Sequence, residues 1–230
     1  MKNIAIILAA GSGSRFASGV PKQFLPLGDK MLIEHSLACF QNHPGIDEIR
    51  IAVQEEYLPL MTTLKEKGLY QKLTHIVIGG RERYESTLAV INSFPEDAEV
   101  NLLFHDAARP FITTEIVTEV VRALQQAKAV VVAISATDTM LEVSEEGSIC
   151  RIPDRSRLWH AQTPQAFRLS VISQAFQLAM QDTSFKTTDD GGVVFRYLPH
   201  EPILIVKGDI SNKKITYQED MNADNLFFHA

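Results

Sequence analysis

Two cations, Arg15 and Lys22, follow a run of small residues near the start of the chain, Ala9-Ala10-Gly11-Ser12-Gly13-Ser14, with Pro21 fixing the backbone just before the lysine. Small residues let backbone N–H groups approach a polyphosphate and form an anion-binding concavity. The two cations can then neutralise phosphate charge. A P-loop is excluded, because Gly13 is followed by Ser14-Arg15 rather than by Gly-Lys-Ser/Thr. A dinucleotide fingerprint is excluded because Phe16 stands where a third small residue is required. The alternative is an ordinary strand-to-loop turn with a solvated Arg and Lys.

Two further clusters carry reactive types. In His105-Asp106-Ala107-Ala108-Arg109-Pro110, a carboxylate flanked by alanines leaves room for a ligand. Asp106 could help hold a hydrated Mg²⁺, which binds through one or two carboxylates plus substrate phosphates, or accept from sugar hydroxyls. Arg109 suits bidentate recognition of a phosphate. The plainer alternative is a structural Asp–Arg pair. In Gly79-Gly80-Arg81-Glu82-Arg83-Tyr84-Glu85-Ser86, paired glycines permit close approach to a flat base whose edge Ser86 can meet. Trp159-His160-Ala161-Gln162-Thr163-Pro164-Gln165 is dense in hydrogen-bonding groups, although a lone His160 reads more simply as a packed core histidine. No elbow motif or triad spacing points to nucleophilic catalysis.

The elements that must position these residues alternate. Residues 4–9 form a continuous apolar run, expected of a strand buried on both faces. Strands are predicted at 48–53, 74–78, 100–104, 129–134 and, as a final core strand, 202–206. Helices are predicted at 31–42, 55–67, 82–94, 113–127, 168–181, 187–197 and 217–228, the sixth weakened by Gly191-Gly192. The pattern predicts an α/β domain with a mostly parallel sheet, in which ligands sit beyond the carboxyl ends of the strands. The loops after Ala9, Ile78 and Phe104 all fall at that edge. Residues 137–162 break the alternation and read as a projecting hairpin. An isolated hairpin is marginal in water, so it packs either on its own domain or on a second copy of the chain.

The 230 residues carry no repeats or linkers, and one domain over residues 1–230 is expected. A net charge of −6 disfavours general nucleic-acid or membrane-surface binding. Cys39 and Cys150 form no metal-spacing motif and read as packing residues. No apolar run reaches the roughly 18–20 residues that span a bilayer, and the first strand runs directly into patterned sequence, so a cytoplasmic protein is expected.

The segments Leu8 through Arg15, Pro21-Lys22-Gln23, Gly79-Gly80 with Arg83 and Ser86, and His105 through Pro110 together resemble one family. So do Asp138-Thr139-Met140, Trp159 through Gln165, and Asn212-Lys213-Lys214-Ile215-Thr216 followed by Glu219-Asp220. It is the cytidylyltransferases acting on 2-C-methyl-D-erythritol 4-phosphate, and the resemblance runs in order almost end to end. The related ribitol-phosphate cytidylyltransferases tend to differ at Ala10, Ala108 and Ala161. Arg81 and Gly191-Gly192 depart from the usual pattern.

The resemblance implies a Rossmann-like three-layer sandwich with a β-hairpin arm and a reaction between CTP and a small sugar-alcohol phosphate. It implies that Ala9, Ala10, Gly11, Gly13, Gly80, Arg83 and Ser86 bind the nucleotide, and that Arg15 and Lys22 stabilise the transition state. Asp106, Arg109, Thr139 and Thr163 would hold the acceptor, with Lys214 positioning it. Mg²⁺ would be bound mainly through the CTP phosphates, with Asp106 as its candidate protein ligand. Arg155 would reach into the partner's site in a homodimer formed through the arm. Two other classes fit some of the same features. One is a nucleotide-binding module without catalysis. The other is a glycosyltransferase using Asp189-Asp190 as metal ligands, a pair that falls where a helix is expected to begin.

Overall fold

The computed structural model describes residues 1–11 and 19–221. Gly13, Arg15 and the part of the last predicted helix beyond residue 221 lie outside the described residues.

The strand β1 (Lys2–Leu8) shows why its run of apolar residues is unbroken. Ala5 and Ile7 face one core, and Ile4 and Ile6 face the other. The first core is covered by α1 (Leu32–Asn42), α2 (Leu58–Glu66) and α4 (Thr114–Ala123). The second is covered by α3 (Arg83–Ile91), α5 (Leu169–Ala179) and α6 (Asp190–Tyr197). The result is three layers. Fully buried side chains such as Phe40, Phe104, Phe167 and Phe176 anchor them. Each contributes about 1.5–3 kcal/mol relative to exposure.

The central sheet is completed by β4 (Glu48–Val53), β5 (Leu73–Ile78), β6 (Val100–Asp106), β7 (Ala129–Ser135), β10 (Trp159–Arg168) and β11 (Ile203–Lys207). Its order is β11-β7-β10-β6-β1-β4-β5. Every strand runs the same way except β10, which is antiparallel to both β6 and β7. The chain steps outward from β1 to β4 and β5, then returns to the opposite side of β1 with β6. The switch point therefore lies between β1 and β6, where open α/β sheets bind ligands.

Two short pairs lie outside this sheet. β2 (Pro26–Leu27) pairs with β3 (Lys30–Met31), and β8 (Glu142–Val143) pairs with β9 (Ile149–Arg151). The second pair is the arm, a shorter hairpin than the 137–162 stretch, because residues 159–162 already belong to β10. Its apolar side chains Leu141, Val143, Ile149 and Ile152 are exposed within the chain.

Three elements differ from their sequence signals. β10 is a central strand although Gln162, Thr163 and Gln165 interrupt its apolar pattern. These polar side chains are buried and hydrogen-bonded, and Pro164 sits where the pairing with β7 shifts register. β11 is an edge strand rather than a core strand, with Leu204 and Ile205 exposed and only Val206 buried. At the C-terminus, the described part of the expected helix is a 3-10 turn, Gln218–Met221. No described helix is long and apolar enough to cross a membrane.

Candidate active site

The edge of the sheet at the switch point is stitched strand to strand. Ala9 N–H donates to Ala52 O at 2.8 Å, Ala107 N–H to Leu8 O at 3.0 Å, and Gly79 N–H to Val53 O at 2.8 Å. The three loops are thereby fixed side by side. The small-residue loop is also braced from above. Gln23 lies in the 3-10 turn Lys22–Phe24, and its amide nitrogen donates to Ala9 O at 2.6 Å and Gly11 O at 2.9 Å. That brace places Lys22 on the same cleft.

Gly79 and Gly80 close the opposite wall. A Cβ at Gly79 would lie 2.7 Å from the Ala10 methyl and from Ser86 Oγ, and one at Gly80 would lie 2.2 Å from Glu85 Cβ. Only glycines allow this loop to lie so close to both β1 and α3. Ser86 Oγ accepts from Gly80 N–H at 3.1 Å, which leaves its own proton to be donated.

Two concavities adjoin here. The first, of about 310 Å³, is lined by Ala10, Gly11, Lys22, Gly80, Ser86 and Ala108 among others. The second, of about 250 Å³, is lined by Arg109, Ala161, Thr163, Thr188 and Asp189 among others. Arg83, Asp106 and Lys214 line both.

Asp106, at the tip of β6, is the centre of charge. Its Oδ1 accepts from Arg83 Nε at 3.2 Å, its Oδ2 accepts from Lys214 Nζ at 2.8 Å, and Arg109 Nε lies 4.0 Å from Oδ2. Burial alone would raise the carboxyl's pKa. The charges of Arg83, Lys214 and Arg109 more than reverse this and hold it well below the usual carboxylate range. Arg83 stays protonated for the reciprocal reason, since Asp190 and Asp106 outweigh the penalty of burying it.

The backbone around Asp106 is held by a chain of bonds whose polarity can be assigned. His105 Nε2 lies 3.0 Å from Arg109 O, so Nε2 carries the proton and Nδ1 accepts from Thr163 Oγ1 at 3.0 Å. Thr163 Oγ1 in turn accepts from Asp106 N–H at 3.2 Å. Burial pushes the His105 pKa down to about 4, and the ring is neutral near pH 7. Asn212 fastens the C-terminal segment to the same turn. It donates to Thr163 O at 2.8 Å, and its carbonyl accepts from Arg109 Nη1 at 2.7 Å. Ile215 N–H donates to Ala108 O at 2.8 Å, which delivers Lys214 to Asp106.

The structure thus gathers Ala10, Gly11, Lys22, Gly80, Arg83, Ser86, Asp106, Arg109, Thr163 and Lys214 around two adjoining spaces. Ala9 is buried behind its loop. Thr139 and Arg155 lie exposed on the arm segment, where Arg155 Nη1 donates to Thr137 O at 2.9 Å, and neither lines these spaces. His160 is exposed rather than a core residue, and Cys150 is exposed while Cys39 is half-buried. Asp189 and Asp190 do not act as a pair. Asp189 caps α6 by accepting from Gly192 N–H at 2.8 Å, and Asp190 turns inward to Arg83. Asp190, Thr87 and Gln165 therefore belong to the site's surroundings. Thr87 carried no sequence signal beyond polarity, Gln165 lies in the polar stretch 159–165 and Asp190 in the acidic pair Asp189-Asp190, and all three are buried.

Among the described residues, no group of three or more His, Cys, Asp or Glu side chains could hold a metal. Asp106 fits a metal only as a single carboxylate beside ligand phosphates. Both its oxygens already accept from cations, although each keeps a further lone pair.

Among the described residues, neither space is lined by a histidine or cysteine nucleophile. What they offer is fixed positive charge around the ionised carboxylate of Asp106 at the switch point of a mostly parallel sheet. That combination serves group transfer between phosphates, and the chain is a nucleotidyltransferase. Residues 3–229 match the family IspD, 2-C-methyl-D-erythritol 4-phosphate cytidylyltransferase. The chain belongs to that family.

Among its relatives, the 2-C-methyl-D-erythritol 4-phosphate cytidylyltransferase of Thermobifida fusca is 40% identical over 94% of this chain and 89% of its own length. A bifunctional ribulose 5-phosphate reductase/CDP-ribitol pyrophosphorylase of Haemophilus influenzae is also 40% identical, over 98% of this chain but 48% of its own length. The crystal structure of 4-diphosphocytidyl-2C-methyl-D-erythritol synthase from Anaerococcus prevotii superposes with a TM-score of 0.86. It is 29% identical, and the match covers 100% of this chain and 99% of that one.

Proposed function

We propose that the chain, as one nucleotidyltransferase domain, transfers CMP from CTP to 2-C-methyl-D-erythritol 4-phosphate, forming 4-diphosphocytidyl-2-C-methyl-D-erythritol and pyrophosphate. The observation that carries this reading is the pair of adjoining spaces that share Arg83, Asp106 and Lys214. A donor in the first and an acceptor in the second would meet at that shared wall.

In this reading the cytosine lies against Gly80 and Ser86, with the Ser86 hydroxyl donating to the base edge. The triphosphate lies along Ala10 and Gly11 toward Lys22, and Arg15, four residues after Gly11 in the sequence, is the second cation of the reading. The acceptor's phosphate oxygen attacks the α-phosphorus in line. The new P–O bond forms as the bond to the β-phosphate breaks, and pyrophosphate departs with the electron pair. Little covalent work falls to the protein. Positioning and stabilisation of developing charge dominate, as in phosphoryl transfer generally. Lys214, anchored by Asp106, steadies the incoming phosphate, and Arg109 and Thr163 shape the acceptor space. Mg²⁺ would supply charge neutralisation on the triphosphate, with Asp106 as its candidate protein ligand.

The exposed apolar side chains of the arm support a homodimer in which the arm packs on a second copy and carries Thr139 and Arg155 to the partner's site. A cytoplasmic location agrees with this small-molecule chemistry.

Ala10 and Ala108 line the first space, and Ala161 lines the second. The positions that favour methylerythritol phosphate over ribitol phosphate are therefore within reach of the ligands. Pyrophosphate release measured with CTP, Mg²⁺ and each acceptor decides the point. Turnover is expected with methylerythritol phosphate. Turnover on ribitol 5-phosphate alone reassigns the acceptor. CTP binding with no turnover on either leaves a nucleotide-binding module.

A further inference from the structure

Asp190 is a buried anion to which the mechanism above gives no work. It is 1% exposed. Its Oδ2 accepts from Arg83 Nη1 at 2.6 Å, and its Oδ1 accepts from Thr87 Oγ1 at 2.8 Å. Through Nε, the same guanidinium holds Asp106 Oδ1 at 3.2 Å, and Arg83 Nη2 is buried with no partner among the described residues. One planar fork thus spans two carboxylates, and Arg83 lines both ligand spaces.

The position of Asp190 is fixed from several sides. Gln165, on β10, grips the start of α6 with both ends of its amide: Nε2 donates to Asp189 Oδ2 at 2.8 Å, and Oε1 accepts from Gly191 N–H at 2.8 Å. A Cβ at Gly191 would lie 2.9 Å from Val131 Cγ2, so glycine allows the first turn of α6 to sit against β7. The departure at Gly191 has a physical reason here, since it brings Asp190 to Arg83. A buried charge is costly unless it is paired, and this one is paired with a single cation that also touches the central carboxylate.

We propose that Asp190 is a positioning residue that acts through Arg83. It holds the guanidinium in an orientation that leaves Asp106 Oδ2 to Lys214. Without Asp190, Arg83 has only Asp106 as a counter-charge. The fork turns onto both Asp106 oxygens, and Lys214 loses its anchor. The role deepens the cytidylyltransferase reading and rests on it for its catalytic part.

The test is Asp190→Asn, an isosteric change that keeps an acceptor for Thr87. kcat is expected to fall 10- to 100-fold, with the KM for CTP changed less than threefold. In an Arg83→Gln background, the same change is expected to cost less than threefold further. An unchanged kcat, or an equal loss in both backgrounds, overturns the proposal. If Asp190→Asn does not fold, Thr87→Val loosens the same carboxylate from its other side. It is expected to lower kcat two- to fivefold, again only when Arg83 is present, and an equal effect without Arg83 also overturns the proposal. A second readout needs no substrate. In the free full-length chain, the Arg83 Nε–H should exchange with water at least tenfold faster in Asp190→Asn. Equal exchange rates count against the proposal whichever acceptor the enzyme uses, and failure of methylerythritol phosphate as acceptor leaves this measurement standing.

Discussion

The ammonium of Lys214 lies 2.8 Å from Asp106 Oδ2, although 108 residues separate the two in the chain. The contact is produced by backbone bonds rather than by the charges alone. Asn212 ties to Thr163 and Arg109, and Ile215 ties to Ala108, so the lysine between them has little choice of direction. Lys214→Met keeps the length of the side chain and removes the charge. kcat is expected to fall by about two orders of magnitude, the size typical of losing one transition-state donor. CTP affinity, measured by calorimetry, should change only a few-fold. A loss confined to CTP affinity would place Lys214 on the nucleotide instead.

Asp106→Asn tests the other half of the pair through stability. The carboxylate balances Arg83 and Lys214, and removing one partner of a buried charge pair costs about 3–5 kcal/mol. Its pKa is held below the ordinary range, so its contribution is fully present above that range and is lost only as the pH falls through the depressed value. The stability gap between wild type and Asp106→Asn, from urea unfolding, should therefore be the same at pH 7 and pH 5. Below about pH 4 the gap should narrow as the unfolded chain takes up the proton first, and a gap that stays unchanged down to about pH 3 would mean that the carboxyl titrates normally, because equal proton affinities in the folded and unfolded chain give no pH dependence.

Gly80→Ala addresses the nucleotide wall. The added methyl would lie 2.2 Å from Glu85 Cβ, an atom that can move only with the backbone of α3. Overpacking of this kind costs about 1–3 kcal/mol. The displaced turn also carries Ser86. A rise in the KM for CTP of tenfold or more is expected, with the acceptor KM nearly unchanged, and steady-state assays varying each substrate separate the two.

Lys22→Ala is expected to lower kcat at least tenfold while retaining most of the CTP affinity, because a cation that acts on developing charge is felt most in the transition state. Equal losses in rate and affinity would make Lys22 a ground-state phosphate contact.

Much of this arrangement could be read from residue types in order. The apolar run of β1, the glycine pair and the Asp106 turn each sit at a strand's carboxyl end, and alternation of strands and helices places those ends together. β10 was not legible, because its buried face uses Gln162, Thr163 and Gln165 as hydrogen-bonding partners, and periodicity rules count such residues as solvent-facing. Asp190 escaped for a related reason. Beside Asp189 it reads as half of an exposed acidic pair at a helix start, and only the packing of α6 on β7 turns one carboxylate out and the other in. β11 carries an apolar sequence yet lies at the edge, since nothing in Ile203–Lys207 says whether a further strand follows it.

His105 gives a prediction whose sign follows from its bonds. Its ring is fully buried, and burial lowers its pKa to about 4, against the ordinary value of 6.5. The unfolded chain therefore takes up a proton first as the solution is acidified. Stability is full above pH 6.5 and declines as the pH falls toward 4, by about 3 kcal/mol over the whole interval. The cost has a structural face. A proton on Nδ1 removes the acceptor of the Thr163 hydroxyl, which also takes the Asp106 N–H. The hydroxyl must then turn to accept from Nδ1 on its second lone pair while its own proton loses its acceptor, so acid loosens the turn that holds Asp106. His105→Gln keeps a polar side chain without a titrating ring. It should be less stable than wild type at pH 7 by about 1–3 kcal/mol, because buried bonds are lost. Its unfolding free energy should nevertheless change much less between pH 7 and pH 5. His43, whose pKa burial and Lys72 also lower, accounts for a residual slope common to both proteins. Equal slopes for the two proteins in urea unfolding would show that His105 is not the group that takes up the proton.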